Sequence, residues 1–131
     1  MKPQELRIGN IVEVNHYEYG DMFASVISIN DVGDLCLHLL DERFTKEEYE
    51  CTMNEVTPIR ITDELLLKNG FEQCGYMFKT LFIEMYEVEN GWHLHIDNDK
   101  FETAIALTIK HLHHLQNAYY LVTGNELEIK L

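Results

Sequence analysis

The chain has 131 residues, 46% of them hydrophobic and 11% aromatic, which is enough for a buried core and too apolar for a disordered tail. Twenty-three acidic residues against ten basic ones leave a formal net charge of −13, spread along the chain, so phosphate backbones and anionic lipid are disfavoured partners. Three cysteines without C-x-x-C spacing, no signal-peptide stretch and no apolar run of membrane-span length predict reduced thiols in a cytoplasmic setting, with neither nucleic acid nor membrane as partner.

From Leu6 to Leu40 the residue pattern predicts a meander of three short strands: Ile11, Val12 and Val14, then Met22 to Ile29, then Leu35 to Leu40. Gly9-Asn10, Tyr19-Gly20-Asp21 and Asn30-Asp31-Val32-Gly33-Asp34 supply the turns between them. The fold class read from this pattern is α+β, with a small antiparallel, SH3-like barrel meander over residues 1–57 followed by an α-β-β-β-α-β subdomain over 58–131. Between Asp41 and Glu55 the composition turns polar, and Thr45-Lys46-Glu47-Glu48-Tyr49-Glu50 reads as one weak helical turn in an exposed connection.

Pro58 marks the start of the second subdomain. Thr62 is a good N-cap, Asp63 and Glu64 suit the positive end of a helix dipole, and Asn69-Gly70 provides a left-handed stop, so residues 62–69 are a short helix onto which Phe71 folds back. The apolar stretch from Tyr76 to Val88, the Asn90-Gly91 turn and the alternating Trp92-His93-Leu94-His95-Ile96 predict a hairpin with Trp92, Leu94 and Ile96 facing the core. Phe101, Thr103, Ile105 and Leu107 continue at period two as a third antiparallel strand. Leu112, Leu115, Tyr119 and Val122 line one stripe of a helix over 110–122 ending at Gly124, and Leu127, Ile129 and Leu131 alternate with charge in a final strand over 126–131. That strand would present an edge through which two copies could pair as a homodimer.

Three segments together, Glu5-Leu6-Arg7-Ile8-Gly9-Asn10, Ile61 to Phe71, and His113-His114-Leu115-Gln116-Asn117-Ala118-Tyr119-Tyr120-Leu121-Val122-Thr123-Gly124, resemble a family of small uncharacterised proteins from gut Bacteroidales genomes and their phages. The closing His-x-Leu-Gln-Asn followed by Thr-Gly is the most specific of the three, while residues 13–57 match only loosely. The resemblance implies a bacterial or prophage cytoplasmic protein and carries over no catalytic residue. Tyr120 stands where that family often has an apolar aromatic.

His113, Gln116, Asn117 and Tyr120 fall at i, i+3, i+4 and i+7, a stripe of hydrogen-bonding side chains that reads either as a binding face or as caps for neighbouring backbone. His93 and His95 share a strand face, and His111 and His114 lie one helical turn apart, so the two pairs are candidate metal ligands if they converge. No H-E-x-x-H pattern, nucleophile elbow or phosphate-cradling glycine loop occurs, and Cys74 has no basic neighbour to activate its thiol. The reading is therefore a non-enzymatic module with a protein partner and no cofactor. The alternatives are a small metal-assisted hydrolase using the histidine pairs and an acidic decoy that mimics nucleic acid.

Overall fold

The computed structural model describes residues 1–44, 48–101 and 103–131, with the side chain of Phe101 excepted. Its architecture is mixed α and β, mostly antiparallel strands with two α-helices, and it divides into two compact units, Met1–Ile59 and Arg60–Leu131. Among the described residues, no helix is long and apolar enough to cross a membrane.

The first unit is a curled, half-barrel sheet of five strands. In chain order these are β1 (Ile11–His16), β2 (Gly20–Ile29), β3 (Leu35–Leu39), β4 (Glu48–Cys51) and β5 (Val56–Thr57), and their order in the sheet is β4-β3-β2-β1-β5. Period-two burial places Val12, Val14, Ala24, Val26, Leu35, Leu37 and Leu39 in one apolar core with Leu6, Cys51 and Val56. The Gly9-Asn10 turn is a structural device. Gly9 has φ +95, and its N–H donates to the Val26 carbonyl at 2.8 Å, while the buried Asn10 side chain accepts from the Arg7 N–H at 2.7 Å. Gly33 is fixed twice over: its φ is +86, and a Cβ there would lie 2.8 Å from Cγ of Pro3.

The polar stretch after Asp41 corrects the sequence reading, because Glu48–Cys51 is a strand and not part of a helical turn; Thr45, Lys46 and Glu47 lie outside the described residues. Tyr49 and Cys51 pair with Leu37 and Leu35, so tertiary pairing and burial of Cys51 outweigh the polar composition of Glu48 and Glu50. Beside this strand the His16 ring packs on Tyr17, Tyr19 and Tyr49 at centroid distances of 4.8, 5.0 and 4.8 Å, and its Nδ1 accepts from the Glu18 and Tyr19 N–H groups.

The second unit starts with α1 (Asp63–Lys68), whose first turn is capped by the Thr62 hydroxyl accepting from the Leu65 N–H at 3.2 Å. Gly70 takes φ +83 and the Phe71 N–H returns to the Leu66 carbonyl, which buries Phe71 against the helix end. Five strands follow, β6 (Glu72–Cys74), β7 (Met77–Lys79), β8 (Ile83–Val88), β9 (Gly91–Asn98) and β10 (Thr103–Ile109), paired in the order β10-β9-β8-β7-β6. The stretch from Tyr76 to Val88, read above as one strand, is broken by a turn in which Thr80 and Ile83 exchange backbone hydrogen bonds, and its first part forms a hairpin around Gly75. The chain then enters α2 (Leu112–Thr123), which ends at a left-handed Gly124 with φ 72.

Residues 126–131 form no strand, so the edge expected there is corrected. The alternation of Leu127, Ile129 and Leu131 is satisfied differently. The Asn69 amide imitates a peptide group, accepting from the Lys130 N–H at 2.6 Å and donating to the Lys130 carbonyl at 2.9 Å, and Lys68 Nζ donates to the Leu131 carbonyl. The tail is held by a side chain and not by a strand.

Candidate binding edge

The hairpin of β9 and β10 builds the site. Gly91 sits at φ +146, and a Cβ on it would collide with the Ile109 carbonyl oxygen, so only glycine allows the two strands to close at this end. Trp92, Leu94 and Ile96 are buried and stand opposite Ile109, Leu107 and Ile105 of β10 on one face, whereas His93 and His95 stand opposite Thr108 and Ala106 on the other. The Trp92 indole N–H donates to the Ile61 carbonyl at 3.1 Å, and its ring meets Phe78 edge-on at 5.6 Å.

Helix α2 covers the apolar face. Two residues after β10 the chain turns into it, and the Thr103 hydroxyl donates to the Val122 carbonyl, so α2 runs back antiparallel to β10. It packs on both β9 and β10, burying Leu112, Leu115, Ala118 and Val122. The cover stops short of the sheet edge. Ile105 is half-buried, Leu107 is 37% exposed and Ala104 and Ala106 are exposed. Between β10 and the α2 stripe His114, Asn117, Ala118 and Leu121 runs an open groove of about 410 Å³, floored by Ile105, Leu107 and Ile109, with Leu121 at 75% exposure on its rim. Period two gave these residues a strand and a face, and because β10 is the outermost strand of its sheet Ile105 and Leu107 stay partly uncovered.

The edge itself is open. β10 is the terminal strand of its sheet, and among the described residues its backbone from 103 to 108 makes no hydrogen bond beyond the β9 ladder. The strand Thr103–Ile109 carries no charge, and no Asp or Glu occurs from residue 103 to residue 125. That acid-free stretch was present in the sequence and is the signal that a residue-by-residue search for chemistry passes over.

The residues singled out by spacing are divided by the fold. His113 is fully buried and Gln116 is 2% exposed, which places them inside the structure; Asn117 lines the groove, and Tyr120 is exposed on α2. His113, His111 and His114 form a cluster of rings at the start of α2, with centroids 4.1 Å apart for His113 and His114 and 5.7 Å for His111 and His114. His93 instead packs on Tyr86 at 4.9 Å, on the sheet face that α2 does not cover. The sheet thus separates His93 and His95 from His111 and His114. Among the described residues, His93, His95 and His111 belong to no set of three His, Cys, Asp or Glu side chains close enough to share an ion.

In the first unit a hollow of about 490 Å³ is lined by Cys36, Cys51, Glu50 and Glu55. Burial pushes the Cys51 thiol up to about 11, and burial followed by the neighbouring Glu48 raises the Cys36 thiol, whose Sγ lies 3.7 Å from a Glu48 oxygen. Both thiols stay protonated at neutral pH and are poor nucleophiles. Cys74 is exposed. The chain matches no family model, no curated protein and no solved structure.

Proposed function

We propose that the protein is a non-enzymatic interaction module that binds a protein partner as an added strand along β10. The single observation that carries this reading is an open, uncharged seven-residue edge beside an apolar groove. In this mode the main chain of the partner satisfies the free N–H and C=O groups of β10, and every second side chain enters the groove under α2. His113 and Gln116 are buried, and Asn117, which lines the groove, is the member of the predicted stripe placed to meet a bound chain. The alternative of a histidine-based hydrolase would need ligands other than both pairs together, because His93 and His95 stand on the face of the sheet that α2 does not cover. The SH3-like assignment of the first unit belongs to the same proposal and is supported by β5 returning to pair with β1.

Selecting random heptapeptides on the immobilised protein tests the reading. Bound sequences should alternate large apolar residues at period two, slow amide exchange at residues 103–108, and lose binding on Leu107→Lys. Selection without alternation, or binding untouched by Leu107→Lys, would overturn it.

A further inference from the structure

Resting on that reading, we infer that the strand added along β10 is β10 of a second copy, paired antiparallel about a two-fold axis near Ala106. The edges of the two sheets differ in length and charge. β5 has two residues, β6 has three and includes Glu72, and β4 carries Glu48 and Glu50; each is short, and two of the three are charged. β10 alone among the described strands offers seven residues without charge at an edge, so it lacks every device that keeps edges apart.

Charge selects the occupant. A molecule of net charge −13 repels its own copies everywhere that acids lie, and the one long stretch without acids, residues 103–125, supplies both the edge strand and the helix beside it. A basic partner would be drawn to the acidic surfaces and has nothing to pair with on this edge, whereas a second copy brings an equally acid-free surface. Self-pairing about Ala106 puts Ile105 of each copy opposite Leu107 of the other on the groove face, a pair of large apolar side chains directly across the new ladder.

Helix spacing fits the same arrangement. Because α2 packs on β9 and β10 together, its axis lies near the line between them. In a β9-β10-β10-β9 ribbon the two α2 axes would then be two strand spacings apart, about 9.6 Å. Helices pack at about 8–10 Å, so the two grooves close on each other with Ala118 and Leu121 of both helices between them. A lone peptide strand would fill the edge and leave that helix flank uncovered.

Light scattering on the intact protein across a concentration series, at low and high salt, tests this. The expected result is a dimer that tightens as salt rises, since salt screens the repulsion between two acidic copies. Ala106→Glu places like charges across the axis at an exposed position and should weaken association by about ten-fold or more. Ala106→Lys should do the same alone, and an equimolar mixture of the two variants should associate again. Melting curves of each variant establish that it is folded. If Ala106→Glu does not fold, Leu107→Lys takes its place and should likewise give a monomer. A wild-type monomer at high micromolar concentration, or a dimer indifferent to these substitutions, would overturn self-pairing. A monomer that still binds selected heptapeptides along β10 would overturn self-pairing alone, and one that binds none would overturn the interaction module as well.

Discussion

The two sheets have the same number of strands and opposite edges. The first unit closes its sheet with a two-residue strand at one end and a glutamate-bearing strand at the other, while the second ends in β10, longer and without charge. Apolar residues of the same kind therefore have different fates: Leu37 in β3 is fully buried, and Leu107 in β10 is 37% exposed. The difference teaches that strand periodicity says which side a residue faces, and position in the sheet says whether anything is there to meet it.

The largest effect expected from this contrast is on stability. Leu37→Ala deletes a core side chain with no exposed surface and should cost about 3 kcal/mol in urea unfolding. Leu107→Ala should cost less than about 1 kcal/mol when measured on dilute protein, because its side chain already meets water. Equal losses at the two positions would mean that β10 is covered in solution.

Much of this architecture was legible in the sequence. The caps at Thr62 and Gly124, the Asn90-Gly91 turn and the alternation from Trp92 to Ile96 are local signals, and each is realised by a short-range hydrogen bond, a positive φ or a buried face. Where reading failed, the deciding contact was distant. Glu48–Cys51 is a strand because β3 pairs with it, and the tail after Glu126 is not a strand because the Asn69 side chain takes its backbone first. The stripe His113, Gln116, Asn117 and Tyr120 was legible as a stripe, but helical spacing cannot tell a residue packed inside from one at the rim. The edge was the least legible feature, since a terminal strand is defined by the order of pairing and not by its own residues.

A second effect, on association, follows from the glutamates that guard the other sheet. Glu48 and Glu50 sit at alternate positions of β4, the terminal strand of the first unit. Replacing both, Glu48→Thr with Glu50→Thr, keeps β propensity and removes the charge, which should turn a blunted edge into an adhesive one. Light scattering should then show assemblies beyond those of the wild type, growing with concentration. If the double variant behaves as the wild type does, shortness and not charge protects that edge.

The smallest effect is read at the same strand through Cys51, whose thiol is buried against β3 and raised from 9.0 to about 11 by that burial, with Glu55 adding to it. The sign follows from which state holds its proton more tightly. With the folded value above the unfolded one, the contribution is complete below about pH 9 and is lost as pH rises toward 11, because the unfolded chain ionises first. The loss is isolated by comparison with Cys51→Val, whose stability should decline less over the same range. Alkylation reports the same burial from the other side. Exposed Cys74 should react first at pH 8, and Cys51, with about one thiolate per thousand molecules, should lag by roughly a hundred-fold. Were Cys51 to react as fast as Cys74, β4 would be peeling from β3, and the contrast between a closed first sheet and an open second one would fall with it.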